Sequence, residues 1–289
     1  MTWTDEERIA VADRFADHRI FVSIVAFRDR ELAATIRRAF DAADRPSRLR
    51  FGICHQFDEE NASLLDGYVD DPRVVVDRVP FRESRGAGWA RARANGLFDS
   101  ERYVLQLDAP TEFVDGWDRR LIDLLGSTGS ARPIITGYPP AAGGSDGGTS
   151  PRGLMAPAAV GSVLTTRLTA GELFTHGRFV IDVPADPEIS ADAEDLTLTL
   201  RAYTHGHDFF RPTESILYRR YEDAAPRPSD ADDERGRRAS RETLACLLRG
   251  DDRGMGARGL GCLRTIAAYD DFVGRGLDAP SDGPPPDRQ

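Results

Sequence analysis

The stretch YVLQLDAPTEF (residues 103–113) runs as a mostly apolar strand up to Asp108 and turns at Pro110. A short apolar run closed by turn residues reads as a strand covered on both faces, and this one delivers Asp108 to the end of a sheet. The same reading repeats on either side of it. RIFVSIVAF (19–27), LRFGICHQ (49–56) and RVVVDRV (73–79) come before it, and PIITGY (133–138) follows. Between them, residues 31–43 place Leu32, Ile36 and Phe40 on one helical face, and residues 88–97 and 117–125 also read as helices. Strand and helix alternate, which predicts an α/β fold: a mixed, mostly parallel sheet flanked by helices in a single domain.

Past Tyr138 the pattern changes. PPAAGGSDGGTSPRG (139–153) has almost no apolar anchor and is expected to be a mobile loop. Strand-like runs resume over residues 162–183. A helix is then expected with Asp192 as its N-cap and Asp195 in its first turn; Leu196, Leu200 and Tyr203 form one face, and Gly206 ends it. SILYRRY (215–221) reads as a strand and residues 235–249 as a charged helix. The stretch 276–289 is expected to be a disordered tail beyond a domain of residues 1–275.

Composition narrows the function. The formal charge of -10 and a pI near 5.1 make the average surface repel phosphate backbones, so no nucleic-acid partner is expected. All 38 basic residues are arginine, as a GC-rich coding bias would give, so no single arginine gains weight from its type. The cysteines, Cys54, Cys246 and Cys262, lie far apart without metal-type spacing and are expected to be small buried thiols of a reduced, cytoplasmic protein. The first residues are acidic and amphipathic, and no run approaches membrane-spanning length, so no membrane partner is expected either.

In open parallel sheets, ligands settle at the carboxyl ends of the strands. Arg28 and Asp29 follow the first strand, Ser84, Arg85, Gly86 and Arg91 follow the third, and Asp108 ends the fourth. Arginines around a helix start make a floor suited to a diphosphate. Each member also has a plainer reading, as a turn cap or a solvated arginine. His205 and His207 are spaced like a small metal pair, but His205 is expected to be structural. No P-loop, dinucleotide fingerprint or Ser-His-Asp arrangement is present.

Taken together, RIFVSIVAFRD, SRGAGWAR, YVLQLDAPTEFVDGWD, TGYPP, FTHGRFVIDVPADPEISADAEDL, RAYTHGHDFF and LGCLRTIAAYDDF resemble the cytosolic GlcNAc transferases that modify hydroxyproline, and their bacterial relatives. The resemblance runs in order over residues 19–276. It implies a GT-A fold with a donor half over 19–138 and an acceptor half over 153–275. It also implies retaining transfer of a sugar, GlcNAc first, from a UDP-sugar donor to a hydroxyl of a peptide, protein or small natural product. By the same resemblance Arg28 and Asp29 hold the nucleotide, and Arg85, Gly86 and Arg91 lie beside the donor. Asp108 opens an aspartate-serine-histidine motif. Glu194 and Asp195 match an acidic pair near the acceptor, with Glu194 orienting the incoming hydroxyl or the sugar.

The departures fall on the metal ligands. The family's histidine after the aspartate is Pro110 here, and a second histidine position is Arg219. Asp108 is left as the one recognisable metal ligand, if a metal is bound at all, and one carboxylate does not define an octahedral Mg²⁺ or Mn²⁺ site. The expectation is therefore no required cofactor, or weakly bound Mn²⁺ or Mg²⁺, with the Arg219 guanidinium supplying donor-binding charge in the cation's place. The alternative is a glycosyltransferase body that holds a nucleotide-sugar or a partner without transferring anything.

Overall fold

The computed structural model describes residues 18–141, 161–220 and 234–274. Its strands are β1 (Ile20–Phe27), β2 (Leu49–Phe57), β3 (Val74–Pro80), β4 (Tyr103–Asp108), β5 (Thr111–Phe113), β6 (Pro133–Thr136), β7 (Ser162–Leu164), β8 (Glu172–His176), β9 (Asp208–Pro212) and β10 (Leu217–Arg219). The helices are α1 (Leu32–Ala42), α2 (Ala87–Asn95), α3 (Trp117–Ser127), α4 (Phe179–Asp182), α5 (Ala191–Thr204), α6 (Glu234–Leu248) and α7 (Ile266–Gly274).

An 8-stranded sheet runs in the order β3-β2-β1-β4-β8-β6-β9-β7. The pairs β3–β2, β2–β1, β1–β4 and β6–β9 are parallel, whereas β8 is antiparallel to both β4 and β6, and β7 is antiparallel to β9. The expected mixed, mostly parallel sheet is the one found. Side-chain alternation along β1 explains its two covers. Ile20, Val22, Ile24 and Ala26 face a core with Leu32 and Ile36 of α1 and Leu121, Leu124 and Leu125 of α3. Phe21 faces the opposite core with Leu198 and Leu200 of α5, Leu247 of α6 and Tyr269 of α7. Each fully buried Val, Leu, Ile or Phe among them stabilises the fold by about 1.5–3 kcal/mol.

Several local expectations shift. The last strand shrinks to β10, which leaves the main sheet and pairs antiparallel with β5, Arg219 opposite Thr111. Residues 179–182, expected as strand, form α4, because the chain turns at Gly177 and closes helical hydrogen bonds from Arg178 onward. The N-cap of α5 is Ser190 rather than Asp192, which lies in the first turn and accepts the Ser190 hydroxyl. Of the cysteines only Cys54 is buried; Cys262 is exposed. The expected loop beyond residue 141, the N-terminal segment before residue 18 and the tail from residue 276 lie outside the described residues. No described helix is long and apolar enough to cross a membrane.

Candidate active site

β1 leads to β2 on one side and is paired with β4 on the other, so the strand order reverses at the carboxyl ends of β1 and β4, where Val25 stands opposite Asp108. Ligands of open α/β sheets bind at this kind of switch point. Asp108 ends β4 there, held by two arginines from distant parts of the chain. Arg91 of α2 donates from Nη2 to Oδ1 at 3.1 Å, and Arg219 of β10 donates from Nη1 to Oδ2 at 3.4 Å. The same Arg91 donates from Nε to Glu194 Oε1 at 3.3 Å, so one guanidinium, 5% exposed, joins two carboxylates. Burial pushes the Asp108 carboxyl up, but the charges of Arg91 and Arg219 outweigh it and hold it below the ordinary aspartate range. Glu194 ends above its ordinary range, because burial and the neighbouring Asp108 and Asp195 outweigh Arg91.

The segment 169–172 is held against the end of β4 beside this cluster. Gln106 donates to the Ala170 oxygen at 2.7 Å, Asp195 accepts the Ala170 N–H at 2.8 Å, and Asp108 N–H donates to the Gly171 oxygen at 3.2 Å. A Cβ at Gly171 would lie 2.6 Å from Asp108 Oδ2, so only glycine lets the backbone press against this carboxylate. Asp195 also accepts the Tyr138 hydroxyl at 3.1 Å. On the β1 side, Asp29 is buried, accepts the Glu31 N–H at 2.7 Å, and is pushed up to about 6 by burial, against that hydrogen bond. Arg28, in a left-handed conformation (φ 52°), pairs with Asp58 at 2.9 Å and lies over the Phe81 ring. Gly86, at φ 101°, caps the start of α2.

A family model described as Glycosyltransferase (GlcNAc) matches residues 19–72, 68–151 and 152–275. The chain belongs to this GlcNAc glycosyltransferase family. No curated protein matches it. Among solved structures, residues 1–349 of S. aureus TarS superpose with a TM-score of 0.58 at 11% identity, over 88% of this chain and 69% of that one. TarS in complex with UDP-GlcNAc gives 0.60 at 11% identity, over 89% and 71%. GalNAc-T7 with UDP, GalNAc and Mn²⁺ gives 0.60 at 16% identity, over 89% of this chain and 56% of GalNAc-T7. What is shared at these identities is the fold: the protein is a GT-A glycosyltransferase by architecture and by family.

Members of a GT-A glycosyltransferase family raise the question of a divalent cation, and the donor set here does not fit one. Both Asp108 oxygens already face guanidinium groups, Pro110 offers no donor, and Arg219 brings positive charge to the carboxylate a cation would need. Among the described residues no group of three or more His, Cys, Asp or Glu is placed to hold a metal ion. His205 and His207 each meet a backbone oxygen of their own. His205 Nδ1 meets the Arg201 oxygen at 2.8 Å, while His207 is buried edge-on to Phe179 and pushed down to about 4 by burial.

The fold of this glycosyltransferase brings Arg91, Asp108, Glu194 and Arg219 into one ion-paired cluster, with Asp29 close enough for the charges of Asp108 and Arg219 to act on it. Arg28 is apart, on the β2 side. Arg85 is exposed and lies on a rim with Arg78, Glu83, Trp89 and Arg93 rather than in the cluster. Asp195 stands beside Glu194 in sequence but is engaged in holding the segment 169–172. Sequence reasoning missed that arrangement, in particular Gly171, Glu172 and Gln106. The one signal was the glycine and glutamate, Gly171 and Glu172, directly before the apolar pair Leu173 and Phe174 of β8.

Proposed function

We propose that this protein transfers a sugar, GlcNAc by its family, from a UDP-sugar to a hydroxyl of a peptide, protein or small natural product, in the manner of the hydroxyproline-type transferases. The observation that carries the reading is the Asp108 carboxylate clamped between Arg91 and Arg219 at the switch point of the sheet. TarS bound to UDP-GlcNAc and GalNAc-T7 bound to UDP, GalNAc and Mn²⁺ support a UDP-linked donor in the same fold.

In this reading Arg28 and Asp29 hold the nucleotide, and Gly86 and Arg91 shape the donor floor, with Arg85 at its rim. Glu194 receives the sugar or the incoming hydroxyl, and Asp195 positions the segment 169–172 through the Ala170 N–H. The anomeric C–O bond breaks with its electron pair leaving on UDP. The acceptor oxygen takes its place on the same face, and the hydroxyl proton passes to the departing phosphate. Arg219 neutralises the charge that grows on that phosphate. One preorganised donor of this kind is worth roughly 2.7–4 kcal/mol, less than a divalent ion clamping two oxygens, so Arg219 acts together with Arg91. Transfer then needs no cofactor, or is only weakly stimulated by Mn²⁺ or Mg²⁺. The donor half would span residues 19–138 and the acceptor half 153–275, in a cytoplasmic protein without nucleic-acid or membrane partners.

A second reading, a non-transferring binder, is favoured by one observation: both Asp108 oxygens are already neutralised within the protein. Calorimetric titration with UDP-GlcNAc, with and without Mn²⁺ and chelator, followed by an assay for released UDP, separates the two. Binding indifferent to chelator with UDP released over time supports transfer. Binding without release, even with hydroxyl acceptors supplied, supports the binder, and no binding of any UDP-sugar overturns both.

A further inference from the structure

Tyr138 follows the carboxyl end of β6. That strand is antiparallel to β8, as β4 is, so both end at the same edge of the sheet, where Asp108 lies. The Tyr138 hydroxyl donates to Asp195 Oδ2 at 3.1 Å, and the charge of Asp195 acts in turn on Glu194. The other oxygen of Asp195 accepts the Ala170 N–H at 2.8 Å, directly before the glycine packed on Asp108. Two residues beyond Tyr138, the Pro140 oxygen accepts the Arg219 N–H at 2.9 Å, and Ala141 bridges to Arg219, the partner of Asp108. The Tyr138 side chain is thus tied to both sides of the ion-paired cluster, yet the residue is 52% exposed. Pro140 is exposed as well, whereas Pro139 between them is buried.

A tyrosine offers a large, rigid face and loses little side-chain freedom on binding. Here the hydroxyl is already tethered and two prolines fix the backbone that follows, so most of that freedom is spent before any ligand arrives. Burial, and after it the Asp195 charge, raises the hydroxyl above its ordinary range, which keeps it a donor at neutral pH. The cluster of Arg91, Asp108, Glu194 and Arg219 is charged throughout and suits a diphosphate and hydroxyls. Tyr138 and Pro140 carry no charge and suit an apolar face, beside the carboxylates that meet the incoming hydroxyl. We propose that Tyr138, with Pro140, is the platform that receives the acceptor, its ring packing on the apolar face of an aliphatic ring that bears the accepting hydroxyl. The proposal rests on the UDP-sugar reading given above.

The test titrates the full chain by calorimetry, as wild type, Tyr138→Ala and Tyr138→Phe, with thermal melts to show that each variant folds. UDP and UDP-GlcNAc are titrated alone. Two probes with a ring-borne hydroxyl, a hydroxyproline peptide and methyl β-glucoside, are titrated into the UDP-loaded chain, so that peptide and sugar sources are told apart. UDP and UDP-GlcNAc affinities should stay within about twofold of wild type in both variants, while affinity for the probe that wild type binds should fall roughly tenfold in Tyr138→Ala, the loss of one well-packed aromatic contact. Tyr138→Phe keeps the ring without the hydroxyl and should bind that probe within about threefold of wild type. Unchanged probe binding in Tyr138→Ala overturns the platform and leaves the transferase reading standing, as does a wild type that binds UDP and neither probe. Equal losses in Tyr138→Phe and Tyr138→Ala would reduce the residue to a tether for Asp195 and overturn it too. A fall in UDP-GlcNAc affinity with UDP affinity intact would put the ring on the donor sugar, again against the proposal. Wild type binding neither UDP nor UDP-GlcNAc would remove the transferase reading itself.

Discussion

The carboxyl ends of β1–β3 and the place where β4 ends beside the start of β8 use the same residue types in opposite ways. At the first, Arg28 is 41% exposed, rests on Phe81 and holds a single partner, Asp58. At the second, Arg91 is 5% exposed and ties α2 to both β4 and α5 through Asp108 and Glu194. An exposed pair contributes little to stability and is free to exchange its partner for a ligand. A buried pair is different, because removing one member leaves the other charged in a poor solvent. The first region is thus loosely held, and the second is firmly held.

The largest expected effect is on the held region. Arg91→Met leaves the partly buried Glu194 without its guanidinium partner and Asp108 with Arg219 alone, and is predicted to cost roughly 3–5 kcal/mol, read as a lower urea midpoint. If instead the midpoint barely moves, the contrast between the two regions is lost. Gly171→Ala should cost roughly 1–3 kcal/mol through the overlap of its methyl with Asp108 Oδ2, and should weaken UDP-sugar binding as Asp108 is displaced from Arg219. A wild-type-like melt with full binding would show that this segment yields freely.

The third prediction concerns pH. Burial raises Glu172 from 4.5 to about 8, so the folded state binds the proton more tightly than the unfolded chain. Its contribution is fully present below 4.5 and is lost as pH rises through 8, with a slope of at most about 1.4 kcal/mol per pH unit. The stability of wild type should therefore decline across that window more steeply than that of Glu172→Gln, measured by denaturation at stepped pH. Parallel curves would mean that the carboxyl is already ionised in the fold. Smallest of all, Arg28→Ala should change stability by only about 0.2–1 kcal/mol while reducing UDP affinity. A large loss of stability there would make the two regions alike.

Much of the fold was legible because it is local physics. The strand β1 announces itself through alternating contact with two cores, and α1 through the spacing of Leu32 and Ile36. The shortening of β10 was not legible, since LYRR reads the same whether it joins the large sheet or pairs with β5. Nor was the difference between Arg85 and Arg91. Both follow β3 in similar company, but the helical turn that begins at Gly86 carries one inward and leaves the other on the rim. Glu172 was passed over because an acidic residue at the start of a strand ordinarily faces water.

By itself the sequence determined the alternation of strands and helices up to β6, the net acidic charge and the proline at position 110, which follow from residue type and spacing, and its motifs carried the resemblance to GlcNAc glycosyltransferases. Only the tertiary structure decided that Arg219, 111 positions away, pairs with Asp108, and that Gly171 packs against the same carboxylate. Such contacts depend on where strands of opposite direction terminate in space, and chain spacing carries no record of that.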